Sequence, residues 1–114
     1  MQKIVINTCW GGFGLSDEAM RRYAELSGIK LIEDVNEYGD VNFYLNEINE
    51  DSYFTGWSID RDDPNLVKVV EEMVEKSYSG YSVLKIVEIP DDVKWEIDDY
   101  DGREHIAEKH RKWS

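Results

Sequence analysis

Cysteine and proline are scarce in this chain, one and two among 114 residues, and positive charge is short: 13 lysines and arginines stand against 25 aspartates and glutamates. A single cysteine cannot close an internal disulfide, so nothing here requires an oxidising compartment and a cytoplasmic setting is expected. The net charge of -12 repels phosphate backbones and acidic membranes, which argues against a nucleic-acid groove. It does not exclude a small anion in a locally basic pocket, because exposed charges are screened beyond about 8–10 Å at physiological salt. Long apolar runs are missing as well. MQKIVI gives way to Asn7 and Thr8, far short of a signal h-region, and no stretch approaches the ~18–20 apolar residues of a membrane span, so a soluble protein is expected.

With 41% apolar residues and no repetitive tract, the chain reads as a single domain over 1–114, long enough for one core. Ile4–Ile6 form a continuous apolar run, as in a strand covered on both faces. Ser16 is an N-cap followed by Asp17 and Glu18, and Met20, Tyr23, Ala24 and Ser27 fall on one face before Gly28 stops the helix, giving 17–27. Three strands are expected near 30–35, 41–48 and 52–59, most simply as an antiparallel meander. Asp63-Pro64 starts a second helix with a stripe of Leu66, Val69, Val70, Met73, Val74 and Ser77. Val83–Ile89 has apolar residues on both parities, as in a central strand, and Trp95 and Ile97 alternate with Glu96 in a half-buried one. DDYDG then breaks into a short helix over about 103–112. The order β-α-β-β-β-α-β-β-α predicts an α+β fold with a mixed or mostly antiparallel sheet.

The densest cluster of candidate residues is CWGGFG, 9–14. Gly12 and Gly14 begin a GxGxxG phosphate loop, but Asp17 stands at the third glycine and no Walker lysine follows. Asp17 and Glu18 also place negative charge where the phosphate would sit. Cys9 as a nucleophile needs a base, and His105 and His110 are about a hundred residues away; a buried small hydrophobe is the commoner role. What remains is a binding corner: the glycines permit close backbone approach and Trp10 and Phe13 offer flat faces for stacking, unless both rings pack under the first helix. Arg61 sits among three aspartates, either pairing with them or facing a ligand. DDYDGREHIAE approximates an EF-hand loop, with Asp99, Asp101 and Glu108 at three, five and twelve, but Ile97 occupies position one, so a turn and helix cap are expected rather than a metal site. His105 and His110, five apart, do not share a helix face as zinc ligands would. Arg103, Lys109, Arg111 and Lys112 gather positive charge at the C-terminal end.

INTCWGGFGLS at 6–16, RDDPNLV at 61–67, LKIVEIPDDVKWEI at 84–97 and YDGREHIAEKHRKW at 100–113 resemble a group of small phage and prophage proteins. Within that group the pattern is most similar to the Thoeris anti-defence sponge proteins; residues 30–58 carry none of it. The resemblance implies a non-enzymatic, homo-oligomeric protein, acting in the infected cell's cytoplasm, that sequesters a nucleotide-derived immune signal of the cyclic ADP-ribose type. It carries no ligand-binding positions across. From the residues themselves the candidate ligand contacts are Cys9, Trp10, Gly11, Gly12, Phe13, Arg61, Arg103, His105 and Arg111, with no catalytic set, metal or cofactor. The alternative is an acidic, anti-CRISPR-like inhibitor that blocks a nucleic-acid-binding defence effector by its negative charge.

Overall fold

The computed structural model describes residues 1–80 and 82–108; Arg111, His110 and the end of the expected third helix lie outside them. Among the described residues two α-helices and seven strands in antiparallel pairings make the α+β fold the sequence predicts. Strand β1 (Gln2–Asn7) pairs with β5 (Leu84–Ile89), Val5 opposite Ile86 and Asn7 opposite Leu84. Strands β2 (Leu31–Val35), β3 (Val41–Leu45) and β4 (Tyr53–Phe54) form the meander, and β6 (Trp95–Tyr100) with β7 (Arg103–Glu108) forms a hairpin.

Helix α1 (Asp17–Ser27) starts where Ser16 Oγ accepts the Ala19 N–H at 3.1 Å and stops at Gly28, whose φ of 69° suits glycine. Helix α2 (Pro64–Met73) starts on Asp63, whose Oδ1 accepts the Asn65 N–H at 2.8 Å. The two helices pack on each other, and α2 packs on β1 and β5, burying Ala19, Met20, Tyr23, Leu66, Val69 and Val70 with Val5 and Leu84. Each fully buried Leu or Val contributes about 1.5–3 kcal/mol, so this seam carries most of the fold's apolar stabilisation. It also fixes β1, and β1 positions the site.

Four local expectations need correction. The helix expected at about 103–112 is strand β7 over its described part: Asp101 and Gly102, at φ of 54° and 89°, form the left-handed pair of a two-residue hairpin turn, and cross-strand pairing overrides the helix propensity of REHIAE. Strand β5 is not central, since among the described residues it pairs with β1 alone. Of its two faces one is buried: Leu84 and Ile86 join the helical core with Val5, while on the other parity Val87 and Ile89 are half-buried and Lys85 is exposed at a cavity beside the hairpin. Strand β3 stops at Leu45, ahead of Asn46 with its φ of 67°, and β4 is only two residues long, because Thr55 and Ser58 form a capping box that winds Gly56–Ser58 into a 3-10 turn. The helical stripe likewise changes character at its end, where α2 gives way to a 3-10 turn over Val74–Ser77 and leaves Val74 exposed.

Candidate functional site

The site is assembled by Asn7, the last residue of β1. It is fully buried, and its side chain makes four hydrogen bonds: Nδ2 donates to the carbonyls of Cys9 and Gly102, both at 2.7 Å, and Oδ1 accepts from the N–H groups of Cys9 at 3.2 Å and Val83 at 3.0 Å. One amide thereby ties the glycine corner, the hairpin turn and the approach to β5 to the end of β1, and its hydrogen-bonding capacity is filled.

The outer edge of β1, which has no strand paired to it among the described residues, is satisfied differently. Val5 N–H donates to the Arg61 carbonyl at 2.8 Å, and Asn7 N–H donates to Glu104 Oε1 at 2.8 Å. Glu104, 5% exposed, takes both arms of the Arg61 guanidinium, at 2.6 and 2.8 Å. That guanidinium also lies 3.5 Å from the centroid of the Phe13 ring. Arg61 is therefore held by a bidentate carboxylate, a carbonyl and an aromatic face, and Phe13, 4% exposed, turns its ring into the core rather than toward solvent. The hairpin turn meets the glycine corner at van der Waals limits. A Cβ at Gly102 would come within 2.6 Å of the Trp10 carbonyl oxygen and 2.7 Å of Gly12 N, so only glycine fits.

Above this junction opens a cavity of about 430 Å³ lined by Ile6, Thr8, Trp10, Lys85, Tyr100, Arg103, Glu104 and His105. That is a size suited to a small molecule. Trp10 is 56% exposed, and Tyr100 meets it edge to face at 5.9 Å between centroids. The guanidinium carbon of Arg103 lies 5.7 Å from the centre of the Trp10 ring. Of the four described arginines, Arg21, Arg22 and Arg61 each grip a carboxylate, and Arg103 does not. Lys85 likewise has no ion pair among the described residues, and His105 Nε2 stands 3.4 Å from Asp98 Oδ2. The Glu104 carboxylate, which borders the cavity, is engaged by Arg61 and by Asn7 N–H, so its charge is largely offset.

The structure thus brings Trp10, Arg103 and His105 to one cavity. Cys9, Gly11 and Gly12 form the loop behind it, while Phe13 and Arg61 lie beneath as its foundation; Arg111 lies outside the described residues. Lys85, Tyr100, Asn7 and Glu104 were not among the expected residues. The Asp-Gly pair between alternating WEIDDY and REHIAE is the signal that locates Tyr100 and Glu104 on a hairpin. Among the described residues no base lies within hydrogen-bond distance of the Cys9 thiol. The EF-hand spacing does not converge: Asp99 opposes Glu104 near the hairpin turn, whereas Glu108 opposes Trp95 at its far end. Among the described residues no cluster of three or more histidine, cysteine or acidic side chains is arranged to hold a metal ion, and no helix is long and apolar enough to cross a membrane.

No protein-family model, curated protein or solved structure gives a significant match to this chain.

Proposed function

We propose that the protein binds a small ring-bearing anion of the nucleotide class in the Trp10–Tyr100–Arg103 cavity and releases it unchanged. The observation that carries this reading is Arg103: the only described arginine without a carboxylate rests against an exposed tryptophan, on a chain with a large excess of acid. The ligand's ring stacks on Trp10 in place of the guanidinium, and Arg103 turns to its phosphate, with Lys85 and His105 on the same cavity wall. The exchange is favourable. An exposed cation–π contact is worth about 0.5–1 kcal/mol, whereas a hydrogen bond to a charged group contributes about 1.5–3 kcal/mol.

In the fuller form suggested by the family resemblance, the ligand is a cyclic ADP-ribose-type signal and the protein a phage-encoded, homo-oligomeric sponge that sequesters it in the infected cell. Calorimetry against cyclic ADP-ribose isomers and cyclic oligonucleotides tests both forms. Saturable binding is expected for at least one ligand, with intact ligand recovered by chromatography, and Arg103→Ala and Trp10→Ala each weaken it by about tenfold or more, the loss of roughly 1.4 kcal/mol. A flat isotherm for every ligand overturns the proposal; turnover of the ligand overturns its non-enzymatic part.

A further inference from the structure

A second surface lies away from the cavity, on the outer face of the meander. Tyr44 and Tyr53 are directly opposed on β3 and β4, with ring centroids 5.5 Å apart in an edge-to-face contact. Their neighbours Phe43 and Phe54, one residue along, point into the core, so strand alternation forces the tyrosines outward. With Ile48, Asn49 and Glu50 the tyrosines line an apolar groove of about 480 Å³, in which Tyr53 is 50% and Ile48 55% exposed.

The segment that carries the groove, between Lys30 and Arg61, is one-sided in charge. Residues 31–60 hold eight carboxylates and no lysine, arginine or histidine. All eight are exposed, and among the described residues only Glu33 has a cation partner, Arg21. Glu50 sits in the groove wall, and Glu47 and Asp51 flank its lining in the sequence. An apolar floor with an acidic surround disfavours a second copy of the same face, because like charges would be brought together. It disfavours nucleic acid for the same reason.

We propose that this groove docks a basic segment of a partner protein, an apolar side chain seated between Tyr44, Ile48 and Tyr53 and its flanking lysines or arginines meeting Glu50 and the neighbouring carboxylates. Two parts of the surface then do different work. The carboxylates speed encounter, and the tyrosine–isoleucine floor sets residence time.

The test uses a short labelled peptide alternating lysine and leucine, with an all-lysine peptide and a glutamate–leucine peptide as controls, titrated into the full chain by fluorescence anisotropy. The lysine–leucine peptide is expected to bind most tightly, and Ile48→Ser or Tyr53→Ala to weaken it by about tenfold, as loss of an anchoring contact does. Glu50→Lys weakens it too, with a smaller dependence on salt. Circular dichroism of each variant should be unchanged, since the substituted side chains are exposed. Equal binding of the all-lysine peptide, or binding indifferent to Ile48→Ser and Tyr53→Ala, overturns the proposal by reducing it to unspecific attraction. Self-association that Ile48→Ser abolishes also overturns it, by giving the groove to a second copy.

Discussion

Asn7 and Glu104 have more riding on them than any residue that touches solvent in the cavity. Replacing Asn7 by alanine strands the N–H groups of Cys9 and Val83 and the carbonyls of Cys9 and Gly102; these groups are half-buried and water takes up part of the loss, so Asn7→Ala is expected to lower stability by about 1–3 kcal/mol in urea titrations. Breaking the Arg61–Glu104 pair from one side leaves the other charge buried. Arg61→Ala and Glu104→Ala should each lose about 3–5 kcal/mol, while the double replacement loses less than their sum. Tyr23 supplies a pH dependence. Burial, and then its 2.6 Å hydrogen bond to Asp63, raise its phenol above the ordinary value of 10.0. The folded state holds that proton to higher pH than the unfolded chain, so the contribution is full below 10 and is lost as pH climbs through the raised value. Urea midpoints measured across that alkaline range should fall in the wild type, and fall less steeply in Tyr23→Phe.

At the scale of elements, the glycine corner and the hairpin turn behave as one unit. Gly102→Ala adds a Cβ against two backbone atoms of the corner and strains a φ of 89°, an outlier costing of order 1–3 kcal/mol before any clash. The hairpin must then lift from Trp10, so ligand binding should weaken along with thermal stability, a pairing that an exposed substitution such as Glu96→Gln should not produce. The same unit marks where sequence reading succeeds and where it stops. Both helix starts are legible because their caps are local: Ser16 and Asp63 act within three residues of themselves. Trp10, Arg103 and His105 stand out by residue type alone. Their convergence does not, since it depends on Asn7 and Glu104, whose partners lie up to 97 positions away. REHIAE is rich in helix formers, and its strand state follows from the Asp101-Gly102 turn and the pairing that turn permits, which intrinsic propensity cannot register. The meander shows the converse case. Its strand positions are legible from alternation, whereas the shortness of β4 follows from the Thr55–Ser58 box just beyond it.

Over the whole molecule, the charge is large and unevenly placed: seven exposed carboxylates fall between Leu31 and Phe54, the span of the meander, and Arg103, Lys85 and His105 border the cavity. Self-repulsion at a net charge of -12 should be relieved by salt, raising the midpoint of thermal unfolding by about 4 °C or more if screening returns roughly 1 kcal/mol. The Arg103 cavity and the acidic groove should separate under the same titration: stacking on Trp10 tolerates salt, while capture of a cationic peptide fades steeply. The bond from Asn7 N–H to Glu104 has one more consequence, a matter of timing. It joins two strands whose bonded residues are made 97 positions apart. Until residue 104 leaves the ribosome, the Arg61 guanidinium has no carboxylate to receive it and Trp10 has neither Tyr100 nor Arg103 beside it. The proposed site is thus the last part of the described fold to exist, and a nascent chain lacks that cavity however early its helices form.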